Sequence, residues 1–431
     1  MRVALIPEHA SPLAAAGGPP VMVVLRGLGL GDLLTAVPAL RALRRAHPGH
    51  RIVLAAPASL AALVPLIGAV DELLDVSGPG PVPLGAAPDL AVNLHGRGPQ
   101  SLAALRRTGP GRLLTHAHPD FPEVRGPSWR GDAHEVRRWC DLLGWYGIAA
   151  DPGDLELEVP PGWATPLVAR SWATGPAPES VSSWGPEPVA VDSGAVGSES
   201  ESVSSRGPEP VAVDSGAADP GPEVSSSGWP VPATGPGPCG SPSEMSAPVA
   251  GRAPAGRGAA RRGPRVPRSG RPASVILHPG AAAPARRWPP ERFALVAVAL
   301  RQAGHGVVIT GNAGERALAE QVASLACLPE ACVLAGRTGL RDLVALVARA
   351  RLVVCGDTGV AHLASALATP SVVLFGPVSP ALWGPPHGPH VALWAGRSGD
   401  PHGDLPDEGL LEIGVLEVLD AAVNLLEAGV R

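Results

Sequence analysis

The sequence predicts an α/β protein of two doubly wound domains separated by a long irregular insertion. Three observations carry this. Short apolar runs alternate with segments of helical period on both sides of the chain's centre. Several of those runs feed glycine-rich loops. The centre itself, 164–271, has neither period. Strands of a parallel sheet covered on both faces read as unbroken apolar runs, because neither side meets water.

Taken in order, residues 1–20 read as an N-terminal extension. They carry one Arg and too little apolar sequence for a signal peptide. The first domain, 21–163, opens on a buried strand at 21–25, a glycine-rich turn, and a helix carrying Leu33, Val37, Leu40 and Leu43. Strands follow at 51–56, 72–76 and 89–94, with a short helix near 58–67. The second domain, 272–431, repeats the design. Its expected strands are 274–277, 306–310, 331–334, 352–355 and 371–375, and its helices 290–303, 313–326, 339–349 and 359–367. Two such domains bind ligands where the carboxyl ends of their strands face each other.

The insertion takes its character from Pro, Gly and Ser. The segment 180–195 returns at 202–217 with one change, Trp184 against Arg206. Two copies of a Pro-broken unit cannot stack into a solenoid, so the insertion reads as a disordered linker. Its acidic half, 179–223, precedes an Arg-rich run at 252–271. The plain reading of that run is a solvated linker; the sharper one is contact with an anionic membrane surface or with the acidic half of the same linker. The net charge of −5 gives no reason to expect nucleic acid as a partner. Every cation is Arg, and the five Cys form neither a disulfide framework nor a zinc pattern, which fits a reducing, cytoplasmic setting. No run of 18 apolar residues suggests a spanning helix.

Five loops carry candidate chemistry. Arg26-Gly27-Leu28-Gly29-Leu30-Gly31-Asp32 follows the first strand. It is not a dinucleotide fingerprint: the third Gly falls one place early and the second strand ends without an acid. What remains is Asp32 at a helix start, either a simple N-cap or a carboxylate facing the cleft, with Gly29 and Gly31 letting a ligand approach. His278-Pro279-Gly280 leads to the pair Arg286-Arg287, which suits a diphosphate or is ordinary surface. Cys355-Gly356-Asp357-Thr358-Gly359 starts a helix whose free N–H groups suit an anion, with His362 one turn in. Glu315, after another strand-end loop, can accept from ribose hydroxyls or favour a helix dipole. His95 and Arg97 lie on a candidate acceptor-side loop.

As an ordered set, Arg26…Gly31-Asp32…Pro38, His278-Pro279-Gly280…Arg286-Arg287-Trp288-Pro289 and Gly356-Asp357-Thr358-Gly359…His362 resemble glycosyltransferase family 9, the heptosyltransferase-like family. The resemblance covers roughly 21–163 and 272–395 and fails over the linker. It implies the GT-B fold, with an N-terminal Rossmann-like acceptor domain and a C-terminal Rossmann-like donor domain. It also implies inverting transfer of a sugar from a nucleoside-diphosphate sugar, ADP-heptose in the family, to a hydroxyl of a cell-envelope glycan or glycolipid. Asp32 maps onto the family's catalytic base and Arg286 onto a basic residue, commonly Lys, at the donor phosphates. Asp357, Thr358 and Gly359 map onto its donor-binding turn. No Asp-x-Asp occurs in the chain, so no divalent metal and no further cofactor is expected. Two departures stand out: Gly27-Leu28-Gly29 replaces a Ser often found before the Gly-Asp, and the insertion is atypical. Two other readings of the same loops are a non-catalytic nucleotide-sugar-binding scaffold and a nucleotide-sugar epimerase or hydrolase.

Overall fold

Why an alternating pattern should end as two layered sheets is clear from β2 (Val21–Leu25). Met22 and Val24 point into one apolar cluster, and Val21, Val23 and Leu25 into another, so both faces of the strand are dry. The protein is described by a computed structural model covering residues 4–6, 18–163 and 274–428. The expected linker at 164–271, its duplication and the Arg-rich run at 252–271 lie outside the described residues.

The first sheet holds β1 (Ala4–Ile6), β2, β3 (Arg51–Ala56), β4 (Glu72–Asp75), β5 (Leu90–Asn93) and β6 (Arg112–Leu114). All pairings are parallel, in the order β1-β4-β3-β2-β5-β6. The helices of this half are α1 (Leu30–Thr35), α2 (Val37–Ala46), α3 (Val64–Ile67), α4 (Pro99–Arg107) and α5 (Glu135–Trp145). The second sheet holds β7 (Ser274–His278), β8 (Gly306–Ile309), β9 (Leu352–Gly356), β10 (Ser371–Phe375) and β11 (His390–Trp394), parallel in the order β11-β10-β9-β7-β8. Around it lie α6 (Pro290–Gln302), α7 (Arg316–Leu325), α8 (Leu340–Arg349), α9 (Gly359–Ala366), α10 (Pro380–Trp383), α11 (Glu408–Glu412) and α12 (Val415–Ala428). Both sheets belong to one unit. A single apolar cluster runs through it, from Met22 and Leu40 to Ile276, Val353 and Leu363.

Strand order decides where a ligand can enter. The chain reverses direction across the first sheet between β2 and β5, and across the second between β7 and β9. A crevice opens at such a switch point, because the connecting helices leave to opposite faces. The loops beside these crevices are 26–29 and 94–98 in the first half, 279–289 and 357–358 in the second.

Several expectations need correction. Residues 4–6, expected in an extension, add β1 to the edge of the first sheet beside β4. The expected helix after the first glycine loop is two helices, broken at Ala36, with Pro38 in the first turn of the second, where its missing N–H costs nothing. The expected strand at 331–334 does not form. A 3₁₀ turn at Glu330–Cys332 delivers only Val333 to the sheet, as an isolated bridge to Ile309. The helix near 58–67 is a 3₁₀ turn at Ala58–Leu60 followed by α3.

Candidate functional site

Directly after strand β2 comes a charged residue with no access to water. Arg26 is fully buried, and a guanidinium there must find fixed acceptors for its N–H groups. Each of its three nitrogens has at least one. Nε donates to the Asp32 carbonyl at 2.8 Å and Nη1 to the Leu94 carbonyl. Nη2 faces Thr35 Oγ1 at 3.1 Å, Glu135 Oε1 at 3.0 Å and Asp32 Oδ1 at 3.5 Å. The Trp139 ring lies beneath, 4.7 Å from the guanidinium carbon. Arg26 thus ties the strand end to the first turn of α1, to β5 and to α5.

Asp32 stands at the third position of α1, and its Oδ2 accepts the backbone N–H of Gly29, the N-cap, at 3.2 Å. Asp32 is therefore not the N-cap that the sequence allowed; it closes onto the N-cap Gly29 from one turn inside the helix. The carboxylate is also part-exposed, with 29% of the side chain open to solvent. Burial pushes its acid above the ordinary carboxylate value, the Arg26 cation pulls it down, and Glu135 pushes it up again.

In the second half, the loop after β7 folds as a 3₁₀ turn, Pro284–Arg286, and delivers Arg286 towards the end of β9. Arg286 Nη1 lies 3.4 Å from Asp357 Oδ2. Asp357 is buried, and burial pushes its acid up to about 6 against the pull of Arg286, with Asp32 adding to the rise. Asp32 therefore lies within electrostatic reach of Asp357, so carboxylates from the two halves share one locale. Thr358 caps α9 with extended backbone; its own hydroxyl is buried with no hydrogen-bond partner. The N–H groups of the first turn of α9 open onto the same place, as an anion site requires.

The two glycine loops meet directly. A Cβ on Gly31 would stand 2.7 Å from His362 Cδ2 and 3.4 Å from Gly359 Cα, and one on Gly359 would stand 2.9 Å from Leu30 Cβ. Only paired glycines let α1 and α9 approach this closely. His362 is held neutral, pushed down to about 4 chiefly by burial and further by His134, and its ring packs edge-on against Trp383 at 5.8 Å. His134, the N-cap of α5, accepts from the Val136 N–H at Nδ1 and donates from Nε2 to the Gly384 carbonyl at 3.0 Å. This hydrogen bond joins the two halves.

The sequence-expected residues do not all converge. Asp32, Gly29, Gly31, Asp357, Thr358, Gly359, His362 and Arg286 do. His95 lies within the field of Arg26, pushed down to about 4 mainly by burial, with its Nδ1 buried and without a partner. Arg97 is exposed on the same loop, which Asn93 anchors through Ser101 and Thr115. Arg287 is not paired with Arg286 towards a ligand: its Nε and Nη2 both clamp the Ala281 carbonyl, at 3.0 and 2.8 Å, across their own loop. Glu315 closes a capping box with Asn312, its Oε2 accepting that N–H at 2.8 Å. Its carboxylate fills the space a side chain on Gly280 would need, 2.2 Å from an added Cβ. It sits beside His278, whose Nδ1 shares a hydrogen bond with Thr310 at 3.0 Å. Sequence reasoning gave no part to Glu135, His134 or Trp383, whose distance along the chain hides them. For Arg26 there was a signal, a cation directly continuing a fully apolar strand. Among the described residues, no group of three or more His, Cys, Asp or Glu could hold a metal ion.

Two doubly wound parallel sheets, with a capped carboxylate from one meeting an Arg–Asp pair and a helix N-terminus from the other, define a GT-B-type protein. Comparison with known proteins agrees. Residues 240–403 match the model of Glycosyltransferase family 9 (heptosyltransferase). The match begins inside the segment that sequence reading assigned to the linker. Lipooligosaccharide heptosyltransferase 2 of Haemophilus influenzae is 39% identical over 102 residues, 22% of this chain and 29% of that protein. Lipopolysaccharide heptosyltransferase 3 of Escherichia coli is 31% identical over 157 residues, 35% of this chain and 46% of that protein. The chain thus spans less than half the length of these curated relatives. The fold is shared with the glycosyl transferase family 9 structure from Veillonella parvula, at TM-score 0.62 and 18% identity over 96% of this chain and 99% of that one. It is shared equally with E. coli ADP-heptose lps heptosyltransferase II, at TM-score 0.59 and 18% identity over 95% and 99%. No helix among the described residues is long and apolar enough to cross a membrane.

Proposed function

We propose that the protein transfers a sugar, with inversion, from a nucleoside-diphosphate sugar to a hydroxyl of a cell-envelope glycan or glycolipid. The observation that carries this reading is the meeting of Asp32 with the Arg286–Asp357 pair and the N-terminus of α9. Asp32 is the general base. It takes the acceptor's proton as the oxygen attacks the anomeric carbon in line, and its raised affinity for a proton suits that task. The departing diphosphate is stabilised by Arg286 and the backbone N–H groups at the start of α9, charges already in place before the bond breaks. These fixed donors do the work that a divalent ion does elsewhere, so the proposed reaction needs no metal. The loop bearing His95 and Arg97 faces the acceptor. ADP-heptose is the proposed donor, by the names of the relatives above. The work is proposed to occur in the cytoplasm, with the Arg-rich 252–271 run touching the anionic membrane surface that carries the acceptor.

The test has two stages. A thermal-shift panel of nucleotide sugars should single out ADP-heptose, since a ligand of the native state raises its melting temperature. Transfer to a glycolipid acceptor should follow with the wild-type chain. Donor binding with no turnover under any acceptor points to a binding scaffold, and donor turnover without an acceptor to an epimerase or hydrolase.

A further inference from the structure

The charges behind Asp32 form a chain that the transfer reaction, as described, leaves unexplained. Glu135 opens α5, more than a hundred residues from the glycine loop, and is buried. Three donors converge on its carboxylate. Arg26 Nη2 and Trp139 Nε1 reach Oε1, each at 3.0 Å, and Arg138 Nε reaches Oε2 at 2.9 Å. Arg138 is itself tied to the carbonyls of Arg130 and Ala133 and stacks on Trp129, 4.1 Å from its ring centre. The result is an alternating row, Arg138–Glu135–Arg26–Asp32, of which only the last member reaches solvent to any extent. A row that served folding alone could end in any acceptor. This one ends on the part-exposed carboxylate between the two halves, and Arg26 stands 0.5 Å nearer to Glu135 than to Asp32.

We propose that Arg26 and Glu135 are positioning residues for Asp32: Arg26 holds its carboxylate in place, and Glu135 shares the Arg26 cation so that Asp32 is oriented without being locked in an ion pair. The proposal deepens the transferase reading and rests on it for the meaning of the proton. Arg26 alone, unshared, would make Asp32 a poor base, since a close cation favours the ionised form. Without Arg26, burial and Glu135 together would raise the Asp32 acid further. The base works between these extremes.

The two positioning residues therefore have opposite signs, which a merely structural role does not give. In Glu135→Gln the whole cation falls on Asp32, whose titration should move to lower pH. In Arg26→Met it should move to higher pH; Arg26→Lys, which keeps the charge, should restore most of the wild-type value and replaces the Met variant if that fails to fold. Other titratable groups around this spot are His95 on the β5 loop, His134 at the start of α5, and Asp357 and His362 from the second half. They are left untouched in all three variants.

The experiment is a carbon-13 NMR titration of the full chain labelled at Asp side-chain carboxyls. The Asp32 signal is assigned by its loss in Asp32→Asn, and the acid limb of kcat against pH is recorded beside it. Opposite displacements in Glu135→Gln and the Arg26 variant, in the signal and in the acid limb, are expected. Displacements in the same direction, or none in folded variants, overturn the proposal. Opposite displacements of the signal in a chain that transfers no sugar would support the coupling and refute the transferase reading, so the two failures are distinguishable.

Discussion

Gly31 lies against His362 so closely that a methyl group on it would overlap the ring, at 2.7 Å from Cδ2. The two residues come from the glycine loops of different halves, so this contact sets the spacing of the whole site. Gly31→Ala should push α1 away from α9. Overpacking of this kind costs about 1–3 kcal/mol, read as a lower melting temperature. Donor affinity should fall as well, because the start of α9 moves relative to Arg286. An alanine variant with unchanged melting temperature and unchanged donor affinity would show that the halves give way freely at this point.

Asp32→Asn separates capping from proton transfer. The Asn side-chain oxygen can still accept the Gly29 N–H, so the loop keeps its hydrogen bond and stability should hold. Turnover should fall by about 10²–10⁴, the range for removal of a general base. Full activity in the Asn variant would remove Asp32 from the chemistry.

Arg286 and Arg287 should part company. Arg286→Ala removes the cation 3.4 Å from Asp357, and donor affinity should drop by about 1.5–3 kcal/mol, the worth of a hydrogen bond to a charged group. Arg286→Lys should recover part of that loss. Arg287→Ala instead frees the Ala281 carbonyl, so its first effect should be on stability, with affinity lost only as the loop loosens. Equal effects on donor binding from the two alanine variants would contradict the division of labour.

Asp357 predicts a pH dependence with a definite sign. Its acid is pushed up to about 6 in the folded chain, above the ordinary 3.8. The native state therefore holds a proton that the unfolded state has released over this interval. Stability should fall as pH rises from about 4 to about 6 and stay level above, a loss of about 3 kcal/mol from this group. Asp357→Asn carries no such penalty. It should melt higher than wild type at pH 7.5, match it near pH 4, and bind the donor less well. An unaltered pH slope in the Asn variant would place the titration elsewhere.

Much of this was legible in the chain. The strands at 21–25, 51–56 and 371–375 appear with the limits that their apolar runs predict, because a buried parallel strand has to be apolar along its whole length. The loops bearing Asp32, Arg286 and Asp357 could be found for a related reason. Each lies at the end of such a strand, where the backbone must turn and small residues leave room for a ligand.

What the strand pattern cannot convey is a strand or helix whose burial is partial, or a partner far along the chain. β11 (His390–Trp394) carries an apolar run, Val391 to Trp394, yet lies at the edge of its sheet and is only half-buried. Residues 331–334 carry that signal and still make no strand, since a 3₁₀ turn leaves just Val333 within reach of Ile309. By itself the sequence determined the strand–loop–helix units and the residue types at their tips, because both follow from local period and local turn chemistry. Tertiary structure alone decided that Glu135 shares Arg26 with Asp32, that Arg287 turns back on its own loop, and that Gly31 meets His362. Those relations depend on which surfaces pack together. Packing is settled by burial summed over the whole chain, which no local stretch of sequence records.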